Sequence, residues 1–178
     1  MRRRNWRCVV WGLAIVVVLV GVGLAVIYSG VYNCAANYPD RRLVNWAMST
    51  TMDCSVARHA AGIHVPSLND PAMLRLGFQH YRGMCLECHG APGVEIAEVG
   101  RGLNPDPPEL VESVGDWKPN ELFWITKNGV RMTGMPAWGV THTDKEIWAV
   151  IAFMQGLPKL TPEAYKALDR EVPPLPKE

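Results

Sequence analysis

The pentapeptide Cys85-Leu86-Glu87-Cys88-His89 places two thiols and an imidazole at a spacing with a defined chemical use. Thiols three residues apart lie about one helical turn apart. Each can therefore form a thioether to a different vinyl group of one haem, with the adjacent imidazole held beneath the iron. Two other chemistries use C-x-x-C. A redox dithiol normally follows a strand in a βαβ unit, whereas helical spacing precedes this one. A zinc site needs two further ligands at short spacing, and the sequence has neither a second C-x-x-C nor an H-x-x-x-H. Covalent attachment of one haem is the reading that the spacing favours.

Haem iron in an electron carrier takes a sixth ligand, often methionine, and the chain has eight methionines. Met135 stands in Gly134-Met135-Pro136-Ala137-Trp138, 46 residues after His89. Glycine and proline around it suit a tight loop that can aim a thioether at the iron. Met132, in Arg131-Met132-Thr133-Gly134, is the close competitor. Met73 and Met154 fall on helix faces and read as core gap-fillers. With His89 and Met135 both bound, the iron has no open position, so one-electron transfer is favoured over substrate chemistry. The expected role is electron carrier, not catalyst.

These motifs, with Gly90-Ala91-Pro92-Gly93 between them, give residues from about Asp70 to Pro158 a resemblance to class I c-type cytochromes. The likeness is to the small bacterial single-haem type that is tethered to membranes or fused to oxidases and dehydrogenases. It implies an all-α domain around one covalent haem c, with Cys85, Cys88, His89 and Met135 as cofactor-binding residues and His89 and Met135 as the iron ligands. It also implies electron donor and acceptor proteins as partners. It is much less specific about which partners, since the module serves many chains.

The surrounding sequence supplies helices to position those residues. Asp70-Pro71 reads as a cap and first-turn proline, followed by Leu74, Phe78 and Tyr81 at i, i+4 and i+7 as a core face. Gly77 offers a flat spot for close approach of another helix. Glu121 to Asn128, between Pro119 and Gly129, reads as a short middle helix. Thr143-Asp144-Lys145-Glu146 is a capping box opening a helix that stops at Gly156, with Ile147, Trp148 and Ile151 as its buried face. The resemblance implies that the Gly77 and Trp148 helices cross near the haem edge. Residues 100–110, GRGLNPDPPEL, read as an extended loop. In the related fold such a loop offers a carbonyl to the other ring nitrogen of the haem histidine, and Pro105 is the candidate here.

The amino end is of another kind. Cys8 to Tyr28 is 21 residues without a charge, roughly 31 Å as a helix and enough to cross a bilayer. Arg2, Arg3, Arg4 and Arg7 precede it, and no cation follows until Arg41. The positive-inside rule then predicts a cytoplasmic amino terminus and a periplasmic haem domain on a single-pass anchor in a bacterial inner membrane. A cleaved signal peptide is the rival, but its apolar stretch is usually only about 7–15 residues.

Between anchor and haem domain, Val44, Met48, Met52, Val56 and Ala60 recur at i+4, with Leu43 and Trp46 widening the apolar side. They predict an extra amphipathic helix that lies on the membrane, packs on its own domain or docks a partner subunit of a larger respiratory or dehydrogenase complex. His59, His64, His80 and His142 read as surface residues. A Cys34–Cys54 bridge would be strained, because the short linker must span about 20 Å of helix. The expected organisation is thus a cytoplasmic cap and anchor over 1–32, a linker helix over 33–64, the haem domain over 65–160 and a Pro-rich tail over 161–178. That tail is expected to wrap the domain or fray.

The whole chain carries a formal net charge of +1, which excludes the basic footprint of a nucleic-acid binder. That balance hides a division. Residues 1–7 hold four arginines, whereas residues 65–178 sum to −4. An acidic haem domain predicts a basic patch on its redox partner.

Overall fold

The computed structural model describes residues 2–38 and 42–175. Arg41, the first cation after the apolar span, and the last residues of the tail, 176–178, lie outside the described residues. The chain forms two compact units, 1–38 and 39–178. Among the described residues all regular structure is helical, with a single bridge between Ala91 and Val94 and no strand.

The first unit is α1 (Arg2–Ser29). Within it Trp6–Ser29, with mean hydropathy 2.8, is long and apolar enough to cross a membrane. Gly30 follows at φ +67, the left-handed backbone that commonly ends a helix.

The second unit is held by α3 (Pro71–Met84) and α8 (Asp144–Met154). Asp70 caps α3 by accepting from the Ala72 N–H at 3.0 Å, and Pro71 occupies the first turn. Thr143 and Glu146 form the reciprocal box that opens α8. The two helices cross at Gly77, where a built Cβ would overlap the Ala149 carbonyl. Only a residue without a side chain permits that approach. Phe78 and Tyr81 are buried beside the crossing, and Ile147, Val150 and Ile151 meet them in the core. Leu74, expected on the same face, is exposed. The tight contact begins at Gly77, and the preceding turn is not covered by it.

Around this pair lie α4 (Leu86–His89), α5 (Glu98–Arg101), α6 (Leu110–Ser113) and α7 (Pro119–Asn128). The end of the 100–110 stretch is therefore not loop, and its start closes α5 instead. Trp148, which is only partly buried, stacks on Phe123 of α7 at 4.2 Å. The helix expected in the linker is α2 (Arg42–Ala60). Its i+4 stripe becomes progressively covered, from exposed Met48 to fully buried Val56 and Ala60, and Asn120 of α7 donates to the Ala60 carbonyl at 2.8 Å. Leu43 and Trp46 do not widen the packed face; they stay 72% and 63% exposed.

The tail is built into the domain. Helix α9 (Pro162–Glu171) is capped by Thr161, Tyr165 and Val172 are buried, and Arg82 of α3 pairs with Asp169 at 2.8 Å. Cys34 and Cys54 are both exposed and unpaired.

Candidate haem site

Cys85, Cys88, His89 and Met135 all line one cleft in the second unit, a space of about 1070 Å³ including its open mouth. Helices contribute Met84 of α3, Leu122, Ile125 and Thr126 of α7, and Met154 of α8. Leu110 and Trp117 also line it. Pro105, Pro107 and Pro108 come from the loop before α6, and Val130, Thr133, Pro136 and Trp138 from the loop after α7. The lining is overwhelmingly apolar, with polar atoms placed at few points, as expected of a cofactor pocket.

Helix α3 runs through the cap residue Cys85 almost directly into α4, so the two thiols lie on one turn. Cys88 and His89 both donate backbone N–H groups to the Cys85 carbonyl, at 3.2 and 2.9 Å. Tyr81 secures the following turn by donating its hydroxyl to the Gly90 carbonyl at 2.6 Å. Gly100 of α5 lies so close to Cys88 that a side chain there would meet its Cα at 3.0 Å. Burial pushes the Cys85 thiol up to about 12, with Cys88 adding to the shift. Cys85 is therefore not a ready thiolate near neutral pH.

The imidazole of His89 is oriented by the loop that precedes α6. Its Nδ1 lies 2.8 Å from the Pro108 carbonyl oxygen. A carbonyl only accepts, so Nδ1 carries the hydrogen and Nε2 keeps the lone pair that an iron would need. Burial lowers the pKa of this ring, with the Pro108 bond opposing. The carbonyl comes from Pro108, not Pro105. Pro108 stands just before α6, which buried Leu110 fixes to the core, whereas Pro105 serves as wall.

Of the two candidate methionines, Met135 lines the cleft, while Met132 is 76% exposed at φ +62. The Met135 loop is folded by a feature that the sequence reading passed over. Thr133 Oγ1 donates to the Val130 carbonyl at 2.8 Å and accepts from the Met135 N–H at 3.1 Å. Gly129 ends α7 at φ +65 and ψ −176, where a Cβ would lie 2.7–2.8 Å from backbone atoms of Met135, Pro136 and Ala137. The Thr-x-Met spacing was the available signal for the turn. Met52 from α2 also reaches the cleft, and no local pattern announces it.

His59 and His64 are exposed as expected, with His59 stacked on Trp124 at 5.5 Å. His80 is not a surface residue. It is 4% exposed, because Gly77 draws its turn of α3 against α8.

The donor set fits haem c: two sulfurs on one turn, a preoriented imidazole, a thioether in the same cleft, and apolar walls for a flat macrocycle. No curated protein matches the chain. Residues 72–154, a little under half of it, match the family described as Cytochrome C oxidase, cbb3-type, subunit III. Together with the helical fold and its cleft, that match identifies this part of the protein as a class I c-type cytochrome domain, a haem-binding electron-transfer module.

Proposed function

We propose that the protein is a membrane-tethered cytochrome with one covalently attached haem c, passing single electrons between redox partners in the periplasm. The observation that carries this reading is the convergence of Cys85, Cys88, His89 and Met135 on one apolar cleft. When bound, the haem supplies an iron that cycles between ferric and ferrous. Cys85 and Cys88 hold the macrocycle through thioethers. His89 binds through Nε2, kept in that tautomer by Pro108. Met135, on the loop after α7, would supply a thioether to the iron and raise its potential, and the apolar walls would limit water. Helix α1 anchors the chain, with its arginine flank in the cytoplasm. Partner docking to the mildly acidic domain is weakened by salt.

The test is the weak red-edge sulfur-to-iron band of the ferric protein. It is expected in the wild type and in Met132→Ala and lost in Met135→Ala. Persistence in Met135→Ala would overturn the ligand assignment. Rapid carbon monoxide binding by the reduced wild type would point to a gas sensor instead.

A second reading has its own support: an electron-entry subunit of a larger dehydrogenase or terminal oxidase. The matched family is described as an oxidase subunit, and Leu43 and Trp46 stand uncovered on α2. Isolation in mild detergent separates the two readings, since a free carrier comes away alone and a subunit brings defined partners.

A further inference from the structure

Behind the loop that bears Met135 lies a chain of three rings that electron transfer does not require. Trp138, on the cleft wall, meets the His142 ring edge-on at 5.4 Å and 82°. His142 in turn meets His80 at 5.2 Å and 77°. His80 is buried, and neither of its ring nitrogens has a hydrogen-bond partner. The nearest counter-charge is Glu146, whose Oε1 is 3.7 Å from His80 Nε2. Glu146 uses its other oxygen to cap α8, accepting from the Thr143 N–H and hydroxyl at 2.7 Å each. Its position is therefore fixed while Oε1 stays available.

A buried neutral imidazole with an unpaired donor and an unpaired acceptor is costly. Charging it is costly too unless a partner is at hand, and here one is. We propose that His142 is a positioning residue for Trp138 and the Met135 loop, and that His80 behind it binds a proton in step with reduction of the haem. The proposal rests on the haem reading above.

As a donor protein delivers one electron to the haem, His80 takes one proton from solvent and becomes an imidazolium facing Glu146 Oε1. Half-buried His142 is the ring between the cleft wall and His80. Reduction lowers the positive charge of the site and so strengthens proton binding; by linkage the potential rises as pH falls. The groups acting on His80 are Glu146 of α8, which favours the charged ring, and His142 of the preceding loop, which opposes it. Burial is the largest influence and keeps the ring neutral at pH 7.

The experiment is potentiometric titration of the full-length, haem-loaded protein in detergent between pH 5 and 8. The potential of the wild type is expected to rise on acidification. His80→Gln is expected to lose most of that rise and His64→Gln to keep it, whereas His142→Gln, which removes the ring that opposes the charged form, is expected to move the rise to higher pH. His142→Gln is also expected to weaken the sulfur-to-iron band by loosening Trp138. Should His80→Gln fail to fold, His142→Gln carries the test alone. A uniform offset at every pH in both variants would mean a merely structural role and overturn the proposal, as would an unchanged profile. Failure of the haem reading is separate, since it would remove the sulfur-to-iron band from the wild type itself.

Discussion

Two kinds of segment wall the cleft: helices α3, α7 and α8, and two loops, 103–109 and 130–138. The helical wall is held by capped, periodic sequence and a close crossing. The loop wall has little regular structure, yet it carries the Pro108 carbonyl and Met135. Stability therefore concentrates on one side and ligand geometry on the other. Substitutions on the two sides should separate the two properties.

The largest expected effect is on the helical side. Gly77→Ala places a methyl against the Ala149 backbone carbonyl, and a backbone atom cannot rotate away. Overpacking of this kind costs about 3 kcal/mol, so the melting temperature of the haem-loaded protein should drop by several degrees or more. Whatever protein folds should retain the sulfur-to-iron band. If Gly77→Ala melts like the wild type, the crossing is not the main support of the domain.

Gly129→Ala probes the joint between the walls. Its φ and ψ fall in a region populated almost only by glycine, worth about 1–3 kcal/mol, and the new Cβ would press on the Met135 backbone. Both melting temperature and band intensity should fall, whereas Gly77→Ala moves only the first. Thr133→Val is milder. It removes the bonds to the Val130 carbonyl and the Met135 N–H, about 1 kcal/mol, and should weaken the band more than it changes the melting temperature. Equal loss of both would mean that the loop is not folded independently of the core.

The same division explains what the sequence could reveal. Asp70-Pro71, the Thr143–Glu146 box and the Gly77 flat spot are local signals with local causes, and all three stand in the structure. That Cys85, Cys88, His89 and Met135 would meet was legible because spacing and flanking residues mark them, and they line one cleft. The carbonyl that orients His89 was not. Pro105, Pro107 and Pro108 are alike in sequence, and only the docking of Leu110 decides which of them faces the ring. Met52 reaches the cleft because α2 packs on α7, a contact between segments about 60 residues apart. Leu74 and His80 failed in opposite directions for one reason. Periodicity names a helix face but not where the partner helix begins to cover it.

His80 supplies the smallest effect, one that depends on pH. Burial depresses its folded-state pKa below the ordinary 6.5, chiefly by desolvation and against the pull of Glu146. Below pH 6.5 the unfolded chain takes up this proton before the folded one does, so stability declines as pH falls from there to the folded-state value. Above that window the contribution of this group is constant. Denaturant melts of the oxidised protein at pH 7.5 and 5.5 should show a loss on acidification, and His80→Gln should lessen it even if it lowers stability at both pH values. His64→Gln, on the exposed side, should leave the difference intact. An undiminished acid loss in His80→Gln would place the responsible group elsewhere, and the helical wall would then lack the one titrating element assigned to it.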